Sequence, residues 1–338
     1  MPTRRPGGHA ACPAPDARAA RPATLPTRPP HPATQPSPAR PTRATRRRRG
    51  IQSRPRPRLT RSPYVRTAPS VPTPHASPLS FASPASRDRF EALVAEADAV
   101  SVDGWDFSWL DGRATEQRPS WGYARAMADR LAGARAALDI QTGGGEVLAA
   151  APVLPPVTVA TESWPPNIAR ATARLHPLGA VVVADADEPP LPFGDGAFDL
   201  VVSRHPVTTW WEEIARVLAP GGTYFSQQVG PASVFELVEY FLGPQPPGVR
   251  RARDPEDARA AAEAAGLDVV GLRAERLRTE FFDIGAVVYF LRKVIWMVPG
   301  FTVEQYRPQL AALHRRIEED GPFIAHTARF LIEARKPL

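Results

Sequence analysis

Five short apolar and β-branched runs, "AALDI", "VTVAT", "AVVVAD", "FDLVVS" and "GTYFSQQV", follow one another between residues 136 and 229. Stretches of helical period separate them. This alternation constrains the fold more than any other feature. Strands joined through helices pair parallel, and a parallel sheet needs helices on both faces. After Gly266 two more strand-like runs appear, "LDVVGLRAERL" and "TARFLIEARK", with a long insertion (283–320) between them. The expected fold class is α/β: a doubly wound, mostly parallel, seven-stranded sheet with an antiparallel last strand. A last strand of that sense starts from the carboxyl edge of the parallel strands, so the insertion is expected to stand above that edge.

Helix punctuation agrees. "RDPEDARAAAEAAG" supplies Asp254 as N-cap, Pro255 at the first helical position and Gly266 as the stop. "EEIARVLAPGG" ends on Pro220 and Gly221–Gly222. Helical spacing also covers 88–98 and 121–135, the second with Tyr123, Met127 and Leu131 on one face.

Residues 1–85 differ in kind. They hold 20 prolines and 16 arginines against one acid, Asp16, whereas the remainder carries more acids than bases. Such a segment has little to bury, and its prolines oppose both helix and ladder. The expectation is a disordered, low-complexity tail (1–85) before one domain (86–338). That domain has a cap-forming first segment, 86–136. Forty of the 42 basic residues are arginine, as a GC-rich coding region produces. The tail is therefore also consistent with a misassigned start, the true one lying at an alternative codon such as Val65, Val71 or Leu79. No apolar window reaches the roughly 18 residues of a membrane span. Cys12 is the single cysteine, which leaves no disulfide and no cysteine metal cluster. Together these features predict a soluble, cytoplasmic protein with no membrane contact and no metal.

The chemistry centres on "LDIQTGGGE", 138–146, where a strand meets a glycine loop. In open α/β sheets ligands sit beyond the carboxyl ends of the strands. A phosphate-binding Walker loop requires Gly-Lys-Ser/Thr, but Glu146 follows Gly145; a dinucleotide loop requires a third glycine where Val147 or Leu148 stands. An acid ahead of glycines suits a cationic amino-acid nucleoside better than a pyrophosphate.

On these residues the chain resembles the class I S-adenosylmethionine-dependent methyltransferases, of the methyltransferase type 11 kind. Their first motif, Asp/Glu-x-Gly-x-Gly-x-Gly, is matched by "DIQTGGG", with Gln141 where the first glycine belongs. "VTVATES" ends on Glu162, 23 residues after Asp139, where the family places a ribose-binding acid. "ADADEPPLPFGDGAFDLVVSRH" resembles the third and fourth motifs, and "RVLAPGG" the turn before the fifth strand. A narrower likeness, in "GWDFSWLDGR", "TGGGE", "ATESWPPN", "SRHP", "QQVG" and "DIGAVVYFLRKVIW", is to a bacterial subset that brings no substrate with it.

The resemblance implies a Rossmann-like domain that takes S-adenosyl-L-methionine. Its cofactor residues would be Asp139, Gln141, Thr142, Gly143, Gly144, Gly145 and Glu162, with Asp187, or alternatively Asp185, at the adenine amino group, and Ser203 and Arg204 after the fourth strand. His205 is a candidate general base or a holder of the cofactor's methionine end. Trp105, Trp121, Gln227, Gln228, Tyr289 and Trp296 are candidates for the acceptor pocket, and Arg113 for the cofactor carboxylate. His176 and His326 read as structural. Gln141 is expected at ordinary, negative φ. The leading function is a small-molecule methyltransferase. The alternatives are an RNA methyltransferase, opposed by the acidity of the domain, and a non-catalytic cofactor-binding or interaction protein, suggested by Gln141.

Overall fold

The computed structural model describes residues 81–104 and 106–338. The expectations for residues 1–80 and for Trp105 lie outside the described residues. The described chain begins with helix α1 (Pro84–Ala99), strand β1 (Ala114–Glu116) and helix α2 (Tyr123–Gly133). Then follow β2 (Ala136–Asp139), α3 (Glu146–Ala149), β3 (Val157–Glu162), α4 (Pro165–Leu175), β4 (Val181–Ala184), β5 (Phe198–Arg204), α5 (Trp211–Val217) and β6 (Leu218–Val229). Helices α6 (Phe235–Leu242), α7 (Pro247–Arg251) and α8 (Pro255–Ala264) lead to β7 (Asp268–Phe281). Helices α9 (Ile284–Lys293) and α10 (Val303–Asp320) precede the last strand, β8 (Phe323–Arg335).

The sheet has eight strands in the order β1-β7-β8-β6-β5-β2-β3-β4. Strands β2 to β6 pair parallel, and β8 runs antiparallel to both β6 and β7. The doubly wound α/β expectation holds, with two corrections. An eighth strand, β1, pairs antiparallel with the outer edge of β7, Ala114 opposite Phe281. Its sequence, "ATE", is too short to carry a period, and tertiary pairing with a long neighbour creates it. Strands β4 and β5 are joined by a loop (185–197) rather than by a helix.

Alternation along the strands builds two cores. Leu138, Val201, Tyr224, Phe330 and Ile332 face α5 and α8, while Ala137, Leu200, Val202 and Phe225 face α2 and α4. Helix α8 starts as its sequence requires, with the Asp254 carboxylate accepting from the Glu256 amide at 3.0 Å. A third core joins α1, α6, α9 and α10 around Phe90, Leu237, Val287, Tyr306 and Leu310. The first helix and the insertion thus form one cap. Among the described residues no helix is long and apolar enough to cross a membrane, and no cluster of three His, Cys, Asp or Glu side chains is arranged to hold a metal.

Candidate functional site

The carboxyl ends of β2, β3, β4 and β5 carry most of the sequence-predicted cofactor residues. Asp139, the last residue of β2, is buried and accepts from the Thr142 hydroxyl at 2.6 Å. Burial pushes its pKa up to about 7; the Thr142 hydrogen bond opposes the rise and the charge of Glu162 adds to it. Glu162, also buried, accepts from the amides of Gly143 (2.8 Å), Ser163 (3.0 Å) and Trp164 (3.0 Å). Its carboxylate therefore fixes the glycine loop against the end of β3.

Two of the glycines serve packing as much as any ligand. Gly145 has φ +76°, and a Cβ there would lie 2.9 Å from the side chain of Leu175 on α4. The Gly144 carbonyl accepts from Arg174, which also pairs with Glu146 at 2.6 Å. The charge of Glu146 is thus compensated locally.

Gln141 departs from expectation. Its φ is +58°, in the left-handed region that disfavours any side chain. Its carboxamide reaches across the edge. Nε2 donates to Asp187 Oδ1 (2.7 Å) and to the Thr208 carbonyl (2.9 Å), and Oε1 accepts from the Val207 amide (2.6 Å). One side chain joins the loops that follow β2, β4 and β5. Each loop also holds a non-glycine residue at positive φ: Gln141, Asp187 at +55° and His205 at +56°. Between the two adenine candidates, Asp187 is the acid tied to this bridge. Burial raises its pKa to about 6; the hydrogen bond from Gln141 lowers it and the charges of Asp185 and Glu162 raise it. Sequence reasoning missed Val207 and Thr208 because they act through backbone groups, which leave no side-chain signature.

On the β5–β6 side a second chain of polar contacts fixes a tautomer. The Trp121 indole, which can only donate, gives its proton to Gln227 Oε1 at 2.8 Å. Gln227 Nε2 must then donate to His205 Nε2 at 2.8 Å, so the neutral ring carries its proton on Nδ1. Burial, with the charges of Arg329, Arg204 and Arg253, holds the His205 pKa well below its usual value. His205 thus has its Nε2 lone pair occupied by Gln227 and an Nδ1 proton to donate.

Other candidates divide. Arg204 lies exposed at the end of β5. Ser203 is buried, its hydroxyl bonded to those of Tyr224 (2.8 Å) and Ser226 (2.9 Å), and Gln228 Nε2 reaches the same Tyr224 hydroxyl. Both belong to a polar network inside the sheet layer. Tyr289 is buried, donates to the Asp106 carbonyl (3.0 Å) and lies 4.8 Å from the Trp109 ring; it packs the cap. Trp296 is 40% exposed, beside Ile295 in the turn after α9. Arg113 pairs with Glu96 and Asp283 and stacks on Trp109, which corrects its assignment to a cofactor carboxylate. The segment after α1 touches α9 through Asp106, and its Gly104 meets Arg170 of α4.

Residues 138–226 match the family model described as a methyltransferase domain. No curated protein matches the chain. Among solved structures, the chain is similar to a methyltransferase candidate from Bacillus halodurans (22% identity, 64% of this chain and 99% of that chain, TM-score 0.44). It is also similar to the YcgJ protein of Bacillus subtilis (16%, 64% and 98%, 0.45) and to phosphoethanolamine N-methyltransferase 2 of Haemonchus contortus (18%, 64% and 53%, 0.39). The matched segment runs from β2 into β6 and contains the glycine loop, Glu162, Asp187 and the parallel half of the sheet, so the likeness to a methyltransferase domain rests on the residues that build this carboxyl edge.

Proposed function

We propose that the domain beginning near residue 86 binds S-adenosyl-L-methionine and transfers its methyl group to a small-molecule acceptor. The observation that carries this reading is the convergence of Asp139, Glu162 and Asp187 on one glycine loop, with Asp139 and Asp187 raised to about 7 and about 6. Buried carboxylates that repel one another favour a ligand bearing positive charge and hydroxyl donors. When bound, the cofactor supplies a sulfonium methyl already activated for transfer. Asp139 would accept from its ammonium, Glu162 from its ribose hydroxyls and Asp187 from its base amino group. Gln141 has to leave Asp187 for that last contact. His205, with its proton on Nδ1, would orient an acceptor or the methionine end by donation, so the acceptor must supply its own lone pair. The cap of α1, α9 and α10 would exclude water and hold the acceptor in line.

A second reading, cofactor binding without turnover, is favoured by one observation: the Gln141 carboxamide already satisfies Asp187.

Calorimetry on the full chain with S-adenosyl-L-methionine tests the first reading, together with metabolite analysis of co-purified ligand. One-to-one binding is expected, and a shortened chain cut before Phe81 should retain it. The cut spares Ser83, which caps α1, and Phe81, which packs on Phe90. Absence of binding at millimolar cofactor would sink this reading. Binding without methyl transfer to any co-purified acceptor favours the second.

A further inference from the structure

The carboxamide of Gln141 has the chemistry of a ligand. It presents a donor to the Asp187 carboxylate and, two bonds away, an acceptor to the Val207 amide. An amino group beside a ring nitrogen, as on an adenine edge, offers the same donor and acceptor side by side. The residue holds this position from a backbone at φ +58°, where a glutamine is strained and must be held by its contacts. Its three side-chain hydrogen bonds supply that hold. Asp187 and His205, in the two partner loops, are at positive φ as well.

We propose that Gln141 is an internal competitor of the nucleoside cofactor: its side chain holds the loops after β2, β4 and β5 together and must swing out before Asp187 can receive a base. This inference rests on the cofactor reading above. Gln141 therefore sets how tightly the chain holds its cofactor. It acts by occupying the acceptor and donor that a base would use, with no role in methyl transfer itself. A cofactor entering the closed form breaks all three bonds at once, so the wild-type affinity is reduced by the fraction of molecules in which the bridge is closed.

Two substitutions separate the side chain from the backbone. Gln141→Ala removes the carboxamide but leaves a Cβ at positive φ; Gln141→Gly also relieves the backbone. With S-adenosylhomocysteine as the calorimetric probe on the full chain, both variants should bind at least tenfold more tightly than wild type. Hydrogen exchange gives an independent readout. The Val207 amide should be protected in ligand-free wild type and unprotected in ligand-free Gln141→Ala, and its protection should return in that variant when the probe is bound. Equal or weaker binding by Gln141→Ala, with wild type binding normally, overturns the competitor and leaves the cofactor reading standing. Failure of wild type and both variants to bind overturns the cofactor reading, and this inference with it. An unprotected Val207 amide in ligand-free wild type also overturns it.

Discussion

Burial holds the Asp139 carboxyl above the ordinary carboxylate range. Its folded pKa, about 7, lies above the unfolded value of about 4. Between those values the native state keeps a proton that the unfolded state has lost, so this group's contribution to stability falls as pH rises from about 4 to 7. A cationic cofactor prefers the ionised form. Affinity for S-adenosyl-L-methionine should therefore increase as pH rises from 6 to 8, with proton release seen as buffer-dependent calorimetric heat. Asp139→Asn should weaken binding and flatten that dependence. Glu162 acts differently, since its carboxylate serves three backbone amides of its own protein. Glu162→Ala should cost about 1–3 kcal/mol of stability through the stranded amides, alongside the loss of cofactor affinity. Glu162→Gln, which keeps an acceptor oxygen, should recover part of the melting temperature but not the affinity; equal melting of the two variants would refute the loop-fixing role.

Elements were legible in the sequence wherever a period or a cap spoke for them. Helix α8 begins at Asp254 because the carboxylate, the proline and the following acids all act locally. Strands β2, β3, β5 and β6 are apolar runs with no competing reading. What stayed hidden is what other elements impose. Strand β1 exists because β7 offers it an edge. Gln141 takes its left-handed turn because three distant partners reward it, and local preference alone argues for the opposite φ. The run "GWDFSWLDGR" is too aromatic for a plain linker but does not say what it packs on; its Trp109 lies against Tyr289 of α9. Arg113 is the tie among these pieces. It bonds Glu96 of α1 and Asp283, the N-cap of α9, each at 2.9 Å. Arg113→Ala should lower stability by about 1–3 kcal/mol while leaving S-adenosylhomocysteine affinity within twofold. A selective loss of affinity with unchanged melting would return this arginine to the ligand.

At the scale of the molecule, cofactor and cap chemistry are divided along the chain. The glycine loop and its acids fall between the start of β2 and the start of β5, whereas the cap is drawn from α1 and from 283–320, far apart in sequence but sharing one core. The order of strands has a further consequence, in time rather than in space. Strand β8 lies between β6 and β7, yet it follows every other strand in the sequence. As the chain leaves the ribosome, β6 and β7 both wait with an open edge, and the long pairing between them cannot begin until residues 323–335 emerge. Closure over such sequence distances is slow, and open edges on apolar strands invite other chains. The parallel half, β2 to β5, can pair earlier, so a nascent chain can hold its glycine loop before the second half of the sheet has closed.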